Sequence, residues 1–579
     1  MSDAQPHIYE FGDFRVDSGR RILFRVGDQV PLTPKVFDTL VLLVANHGQV
    51  LEKKELMNAI WPDTAVEENN LNQNVSTLRR IFGETRGENR YIATVPGKGY
   101  CFTAEVRTSM PASPEESLTH FRIGVLPFEN LGGGPDRDYL ADGLTEETIA
   151  TLGQIDPDHF SVIGRTSVMS YKRTTKSLAE IGRELDTSYL IESSLRAEGD
   201  RLRITSKLIR VRDQLQIWSA SYDSEPGSLL TFQRELGTAI AEQVRLRLSP
   251  ARLNALANRQ TQNPEAYDLY LRGRFYWNQF TSLTTRRAIE YFSHATSIDP
   301  DYALAWSGLA DAFSSSPVTG DADPLIMLPR ARDAANNAVR SDPELAEAQA
   351  SLGFFQFWLG WDWPVAEAAF RKALAADPNY AFAHRMLGIV LSHLCRHEEA
   401  AASIRRAREL DPLSSMNRAL SSQIAFAARD LSNAIHFARE AIVLDPEFWI
   451  GHFQLAQAYV HLQQDDQAME SLNRANRFSA GNSKALSLRG YLLARTGSTR
   501  EATEILQTLD TISRERFVPP YAQALIYMGL GDPGSALNSL ERASEAHDVH
   551  LAFLTVDPKW DSLRTEARFI KVLQHFSFE

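Results

Sequence analysis

The residues best placed for recognition chemistry lie between positions 69 and 82. At about 100° per residue, Gln73, Ser76, Thr77 and Arg80 gather on one face of a helix. They are hydrogen-bonding side chains of modest length with one cation. The opposite face carries Leu71, Val75, Leu78 and Phe82, an apolar stripe that must face a core. Motifs for bond-making chemistry are weak by comparison. Gly132-Gly133-Gly134 has no lysine with Ser/Thr at phosphate-loop spacing and is expected to be a turn. Asp142, Glu146 and Glu147 form a carboxylate group expected in the first turns of a helix, where acids suit the macrodipole. Arg165-Thr166-Ser167 follows a strand and could hold an anion. His397-Glu398-Glu399 lacks the second histidine of a zinc-protease helix, and Cys395 is expected to pack within a helix rather than act as a nucleophile. The aromatic run Phe354, Phe355, Phe357, Trp358, Trp361 and Trp363 is expected to be core rather than a ligand cage. No catalytic, metal-binding or cofactor-binding residue is therefore assigned, and an enzyme is not expected.

The elements that would position the polar face follow from local signals. Short strands are predicted at 8–11, 14–16, 21–24 and 29–32, punctuated by Gly12, Gly19 and Gly27-Asp28. Thr33-Pro34 should cap and open a helix to about Asn46. A second helix is predicted from about Lys53 to Ile60, halting at Trp61-Pro62. The third, from about Asn69 to Phe82, carries the polar face and ends at Gly83. Residues 91–95 and 100–104 flank Pro96-Gly97-Lys98-Gly99 and read as a hairpin with a basic tip.

The C-terminal half is periodic. Asp-Pro recurs at 299–300, 342–343, 377–378, 411–412 and 445–446, the last three steps being 35, 34 and 34 residues. Alanines stand 12 and five positions before each proline, as at Ala366 and Ala373. Small residues permit close helix approach, and proline ends the second helix of each pair. The array resembles tetratricopeptide repeats over residues 264–550, about eight helical hairpins. The second unit is longer, with Ser314 to Pro324 expected as a loop insertion. The resemblance implies an extended concave surface that takes a protein or peptide partner, and residues 551–579 should cap the array.

Residues 7–106 closely resemble the winged-helix DNA-binding domain of OmpR/PhoB-type response regulators. The resemblance rests on Leu32-Thr33-Pro34-Lys35, Phe37, Leu56, Trp61-Pro62, Val66-Glu67-Glu68-Asn69, Leu78-Arg79-Arg80 and the run from Arg90 to Tyr100. It implies a third helix in the major groove and a wing tip at the minor groove of double-stranded DNA. On that basis Gln73, Ser76 and Thr77 are candidates for base edges. Asn72, Arg79 and Arg80 are candidates for phosphate or groove-edge contact, and Lys98 for the wing. Two departures weaken binding. Pro96 stands where relatives often carry a basic residue, and Ser76-Thr77 replaces a mid-helix arginine pair. Residues 1–107 hold 13 basic and 14 acidic side chains, so the electrostatic contribution is local, from Arg79, Arg80, Arg86, Arg90 and Lys98. Weak monomer binding, with dependence on a homodimer or tandem sites, is expected. The module begins near residue 7, so a phospho-acceptor domain before it is not expected.

Residues 107–120 read as a flexible linker. Beyond it, 121–249 alternates strands at 121–128, 160–163, 189–194, 202–211 and 216–222 with helices at 139–155, 178–185 and 229–248, as in an α/β sandwich. Ile123-Gly124-Val125-Leu126-Pro127-Phe128-Glu129-Asn130, Asp142-Gly143-Leu144-Thr145-Glu146-Glu147 and Tyr189-Leu190-Ile191-Glu192-Ser193-Ser194 resemble the TolB-like domain.

The composition is ordinary for a globular chain: 579 residues, 43% hydrophobic, 23% charged, net charge −12. A uniformly basic nucleic-acid coat is excluded. Two cysteines, Cys101 and Cys395, rule out a disulfide scaffold. No secretory signal or spanning helix is read, so a cytoplasmic location without membrane contact is expected. The fold class is multidomain: an α+β winged helix, an α/β TolB-like domain and an all-α tetratricopeptide solenoid. The expected function is a one-component transcriptional regulator whose array receives a protein, peptide or small-molecule signal. The alternative is an interaction scaffold whose winged helix binds protein.

Overall fold

The computed structural model describes residues 8–18, 22–25, 28–30, 32–61, 66, 68–84, 88–109, 121–132, 134, 137–154, 160–198, 201–224, 235, 236, 239, 261–320, 322–479 and 481–574. The chain forms two compact units, Met1–Thr119 and His120–Glu579.

In the first unit, β1 (Ile8–Phe11), β2 (Phe14–Asp17), β3 (Ile22–Arg25) and β4 (Asp28–Val30) form an antiparallel meander. The expected linker does not begin at 107: β8 (Arg107–Ser109) pairs with β1, because the free edge of that sheet needs a backbone partner. Residues 110–120 lie outside the described set. Helices α1 (Pro34–Ala45), α2 (Lys53–Ile60) and α3 (Glu68–Phe82) follow, with β5 (Val50–Glu52) joining the hairpin of β6 (Ile92–Val95) and β7 (Gly99–Phe102). Thr33 precedes α1, but its side chain makes no capping bond; Pro34 at the first turn sets the start instead. One core holds the unit together: Phe11, Phe14, Phe82, Tyr91 and Phe102 stack edge to face across sheet, helix and hairpin.

In the second unit, β9 (Phe121–Val125) is an inner strand of a mixed sheet. It pairs in parallel with β11 (Phe160–Val162) and β12 (Tyr189–Glu198). The sheet continues antiparallel through β13 (Arg201–Arg210) and β14 (Leu215–Ser224), and β10 (Glu129–Asn130) pairs with β12. Helices α4 (Asp138–Gly153), α5 (Arg165–Met169) and α6 (Leu178–Glu184) connect the strands. Ser177 and Glu180 close a capping box on α6. The closing helix expected at 229–248 lies outside the described residues, apart from Glu235, Leu236 and Ala239.

Eight helical hairpins occupy Pro264 to Glu545 among the described residues. Ala288, Ala295, Ala366, Ala373, Ala400 and Ala407 are fully buried at the helix crossings. The aromatic run is core, with Phe357 and Trp363 fully buried. Two expectations are corrected. Ser314 to Pro324 is not a loop: the helix Ala303–Gly320 runs through Pro317, and Pro324 opens the next helix. Ser315 and Ser316 bond back to the Ala312 carbonyl, and Ser314, Ser315, Ser316 and Pro317 are buried, so helix was the cheapest way to satisfy the backbone there. Cys395 does not pack in a helix; it is exposed at φ 59° in the turn after His393.

That turn has a regularity of its own. Trp361, Cys395, Arg429, Gln463, Gly497 and Gly531 all have left-handed backbone, one every 34 residues. Each reverses the chain after the first helix of a hairpin, the role of a C-terminal left-handed cap.

The repeats and the mixed sheet share one core, which runs from Ile123 and Leu144 through Leu271 and Phe292. After Asp557 the chain closes on the array in short 3-10 turns, with Trp560 fully buried and donating to the Tyr521 hydroxyl at 3.1 Å. No helix among the described residues is long and apolar enough to cross a membrane.

Candidate nucleic-acid interface

Helix α3 is held from below by its apolar stripe. Leu71, Val75 and Leu78 are 0–1% exposed, and Phe82 is buried with them. Asn74 fixes its rotation, donating to the Lys35 carbonyl at 3.2 Å and the Thr39 hydroxyl at 2.9 Å on α1. Lys35 in turn donates to the Ile60 carbonyl at 2.5 Å, tying α1 to the end of α2. With three helices locked, Asn72, Gln73, Ser76 and Arg80 are exposed, and Thr77 and Arg79 are half-buried.

The candidate residues divide by what they already bond. Arg79 donates to the Ile92 carbonyl at 2.8 Å and the Thr94 hydroxyl at 2.9 Å, and lies 3.9 Å from the buried Glu84 carboxylate. Glu84 itself accepts from the Tyr91 and Ile92 amides. Arg79 is thus a strut between helix and hairpin. Asn72 accepts from the Tyr100 hydroxyl at 2.6 Å, a second strut. Burial raises the Tyr100 phenol above its usual range, which keeps it a donor. Thr77 bonds back to the Gln73 carbonyl at 2.9 Å. Gln73, Ser76 and Arg80 have no side-chain bond to another described residue. They form the outward part of the face.

The wing tip is a tight turn closed by the Lys98 amide donating to the Val95 carbonyl at 3.1 Å. Gly97 has φ 74°, and a Cβ on Gly99 would fall 1.8 Å from the Leu51 carbonyl oxygen, so both glycines are required. Lys98 is exposed and makes no side-chain bond among the described residues. All seven residues lie on α3 or at the hairpin tip, and the internal bonds of Asn72 and Arg79 had no signal in the sequence.

Other singled-out residues are not near this face. Asp142, Glu146 and Glu147 lie beyond the first turn of α4, which opens at Asp138, so the macrodipole does not account for them. All three are paired. Lys172 donates to Asp142 at 2.6 Å, Arg274 and Asn278 donate to Glu146, and Tyr270 donates to Glu147 at 3.2 Å. Burial, the largest influence, pushes the Glu146 carboxyl up, but Arg274 and Arg165, with the bond from Asn278, hold it below its usual range. The anion at Arg165-Thr166-Ser167 is the protein's own. The Ser167 amide donates to the Asp411 carboxylate at 2.7 Å, and its hydroxyl bonds the same oxygen. His397 opens a repeat helix with Glu398 and Glu399 in its first turn, and Glu399 pairs with Arg396 and Arg371. Gly132 has φ 96° in a loop where Asn130 donates to the Gly134 carbonyl. No group of three His, Cys, Asp or Glu among the described residues is placed to hold a metal ion.

Residues 27–102 match the family "Transcriptional regulatory protein, C terminal". Residues 362–415 and 451–482 match tetratricopeptide repeat families. The transcriptional regulator HilA of Salmonella typhimurium is 25% identical over 408 residues, 70% of each chain. A Rhizobium meliloti protein provisionally named adenylate cyclase 3 is 32% identical over 207 residues, 36% of this chain and only 34% of that one. The solved DNA-binding domain of E. coli CadC is 30% identical and is covered over 98% of its length, 18% of this chain, with a TM-score of 0.16. The matched families are of non-enzymatic kinds. The chain carries an OmpR/PhoB-type DNA-binding domain of transcriptional regulators together with tetratricopeptide repeats.

Proposed function

We propose that the chain is a one-component transcriptional regulator of the cytoplasm that binds double-stranded DNA through α3 and the β6–β7 wing. The carrying observation is the outward part of α3: Gln73, Ser76 and Arg80 are exposed and unspent, while Leu71, Val75, Leu78 and Phe82 lock the helix to the core. Gln73 suits a bidentate bond to adenine, Ser76 and Thr77 permissive base-edge contacts, and Arg80 and Lys98 phosphates. Asn72 and Arg79 border the face and support it by fixing the wing. The mixed sheet at 121–224 is read as a TolB-like spacer or dimerisation domain, and the repeat array as the receiver of a signal. Occupancy of the array would alter pairing of winged helices, and so the effective concentration at tandem half-sites.

A second reading has its own support. With Arg79 consumed internally and 13 basic against 14 acidic side chains in residues 1–107, the face is poor in charge for DNA. A scaffold whose winged helix binds protein fits that poverty.

Selection from random duplex DNA by the full chain, at two salt concentrations, separates the two. The expected result is enrichment of a repeated half-site, salt-sensitive, and weakened by about 1–3 kcal/mol in Gln73→Ala/Arg80→Ala. Absence of any enriched site, with or without residues 250–579, would support the scaffold.

A further inference from the structure

The inner side of the repeat array is already occupied at two places by this chain. At one, α4 packs on the first helix of the first hairpin: Leu271 leaves no room for a Cβ at Gly143, and Tyr139 bonds Asp268 and Arg272. The mixed-sheet domain also grips two repeat turns. Asn379 donates to the Phe160 carbonyl at 3.1 Å, and Gly164 donates to the Leu410 carbonyl at 2.7 Å. At the other, residues 547–561 lie across the first helices of later hairpins. His547 stacks on Trp361 with ring centres 3.7 Å apart, Phe553 meets His393 and Lys484, and Lys559 reaches Gln457. An extended peptide has no continuous groove to follow.

Beside the first of these occupants a cavity of about 200 Å³ remains. It holds the volume of roughly seven waters, at about 30 Å³ each. Its wall brings together Tyr270, Asp311, Glu347 and Arg385 from the first helices of four successive hairpins, with Arg165 from α5. Among its buried polar atoms, Asp311 Oδ1 and Arg385 Nε make no hydrogen bond, Arg165 Nε has only the Glu146 carboxylate at 3.3 Å, and Asp311 is only 4% exposed. The first two are of opposite kind, an acceptor and a donor, and native interiors rarely leave such atoms unmet. Arg274 is no alternative partner, being committed to Glu146.

We infer that this cavity is a binding site for a small zwitterion of the α-amino-acid class, its carboxylate on Arg385 and its ammonium on Asp311. An anion alone would face Asp311 and Glu347; a cation alone would leave Arg385 unmet. Tyr270 and Phe382 supply apolar wall for a short side chain. Burial pushes the Asp311 carboxyl up to about 7, which an adjacent ammonium would reverse. The inference rests on the reading of the array as a receiver and narrows its signal to a small molecule.

The test is thermal denaturation of the full chain with each of the twenty α-amino acids, and with the decarboxylated and deaminated analogue of any that bind. At least one amino acid should raise the melting temperature while neither analogue does. Asp311→Asn and Arg385→Gln should each weaken it at least about tenfold, as expected for a lost charge-assisted hydrogen bond. Ala381→Leu, which fills the cavity from its wall, should abolish the shift and guards against misfolding of the charge variants. No shift from any amino acid, or an equal shift from an analogue, overturns the inference. DNA selection on the same samples keeps the two readings apart: DNA binding without a ligand shift sinks only this one.

Discussion

The face of α3 and the cavity in the array treat polar side chains in opposite ways. On α3, Gln73, Ser76 and Arg80 point to water and cost nothing while unoccupied. In the cavity, Asp311 Oδ1 and Arg385 Nε are buried and unmet. A surface built to meet a polymer can wait in solvent, whereas buried unmet atoms store their cost in the folded protein. Stability measurements should therefore see the second and miss the first.

The largest expected effect concerns Asp311. Its folded carboxyl is raised to about 7 from an ordinary 3.8, by burial first and by Glu347 against the pull of Arg274. The folded state then keeps a proton that the unfolded state has lost between those values. Stability should fall as pH rises from about 4 to 7, by at most about 1.4 kcal/mol per unit from this group. Urea denaturation across that window should show the wild type losing stability relative to Asp311→Asn as pH rises. An identical slope in both would break the comparison. Next, Arg79→Ala should destabilise the first unit by about 1–2 kcal/mol through loss of its two bonds to the hairpin, while Arg80→Ala changes stability by less than about 0.5 kcal/mol. Hydrogen exchange of the Ile92 and Thr94 amides is the readout. Equal protection in the two variants would mean that Arg79 is no strut.

How much of this was legible depended on whether a signal was local and periodic. Helix α2 was readable at both ends, from Lys53 to Ile60, because its boundaries rest on nearby residues. The buried stripe of α3 was readable because its period is that of the helix. The Asp-Pro period gave the hairpins, yet the stricter period in the structure was invisible. Trp361, Cys395, Arg429 and Gln463 share a backbone conformation and nothing in side-chain type. That turn is imposed by helix packing, and only Gly497 and Gly531 carry the residue it favours. The smallest prediction follows: Gln463→Gly, exposed and at φ 59°, should raise stability by about 0.5–1 kcal/mol in thermal denaturation. The cavity was illegible for another reason. Glu146 and Arg274 are 128 residues apart, and Ser167 and Asp411 are 244 apart. No window along the chain joins them, so Glu146 read as a helix-start carboxylate and Ser167 as part of an anion site.

The grip of the mixed-sheet domain on two repeat turns bears on how such a chain can change in length over descent. Repeat arrays grow and shrink by duplication and loss of whole units. Here Asn379 is held at Phe160 and Asp411 at Ser167, on neighbouring turns, while His547 is tied back to the Leu359 carbonyl. A unit inserted between 379 and 411 would separate the first two anchors, and one inserted between 411 and 547 would pull the third away. The number of units in this stretch is fixed in the manner of a ring rather than a thread, and duplications there should be purged even when each new unit is itself well folded.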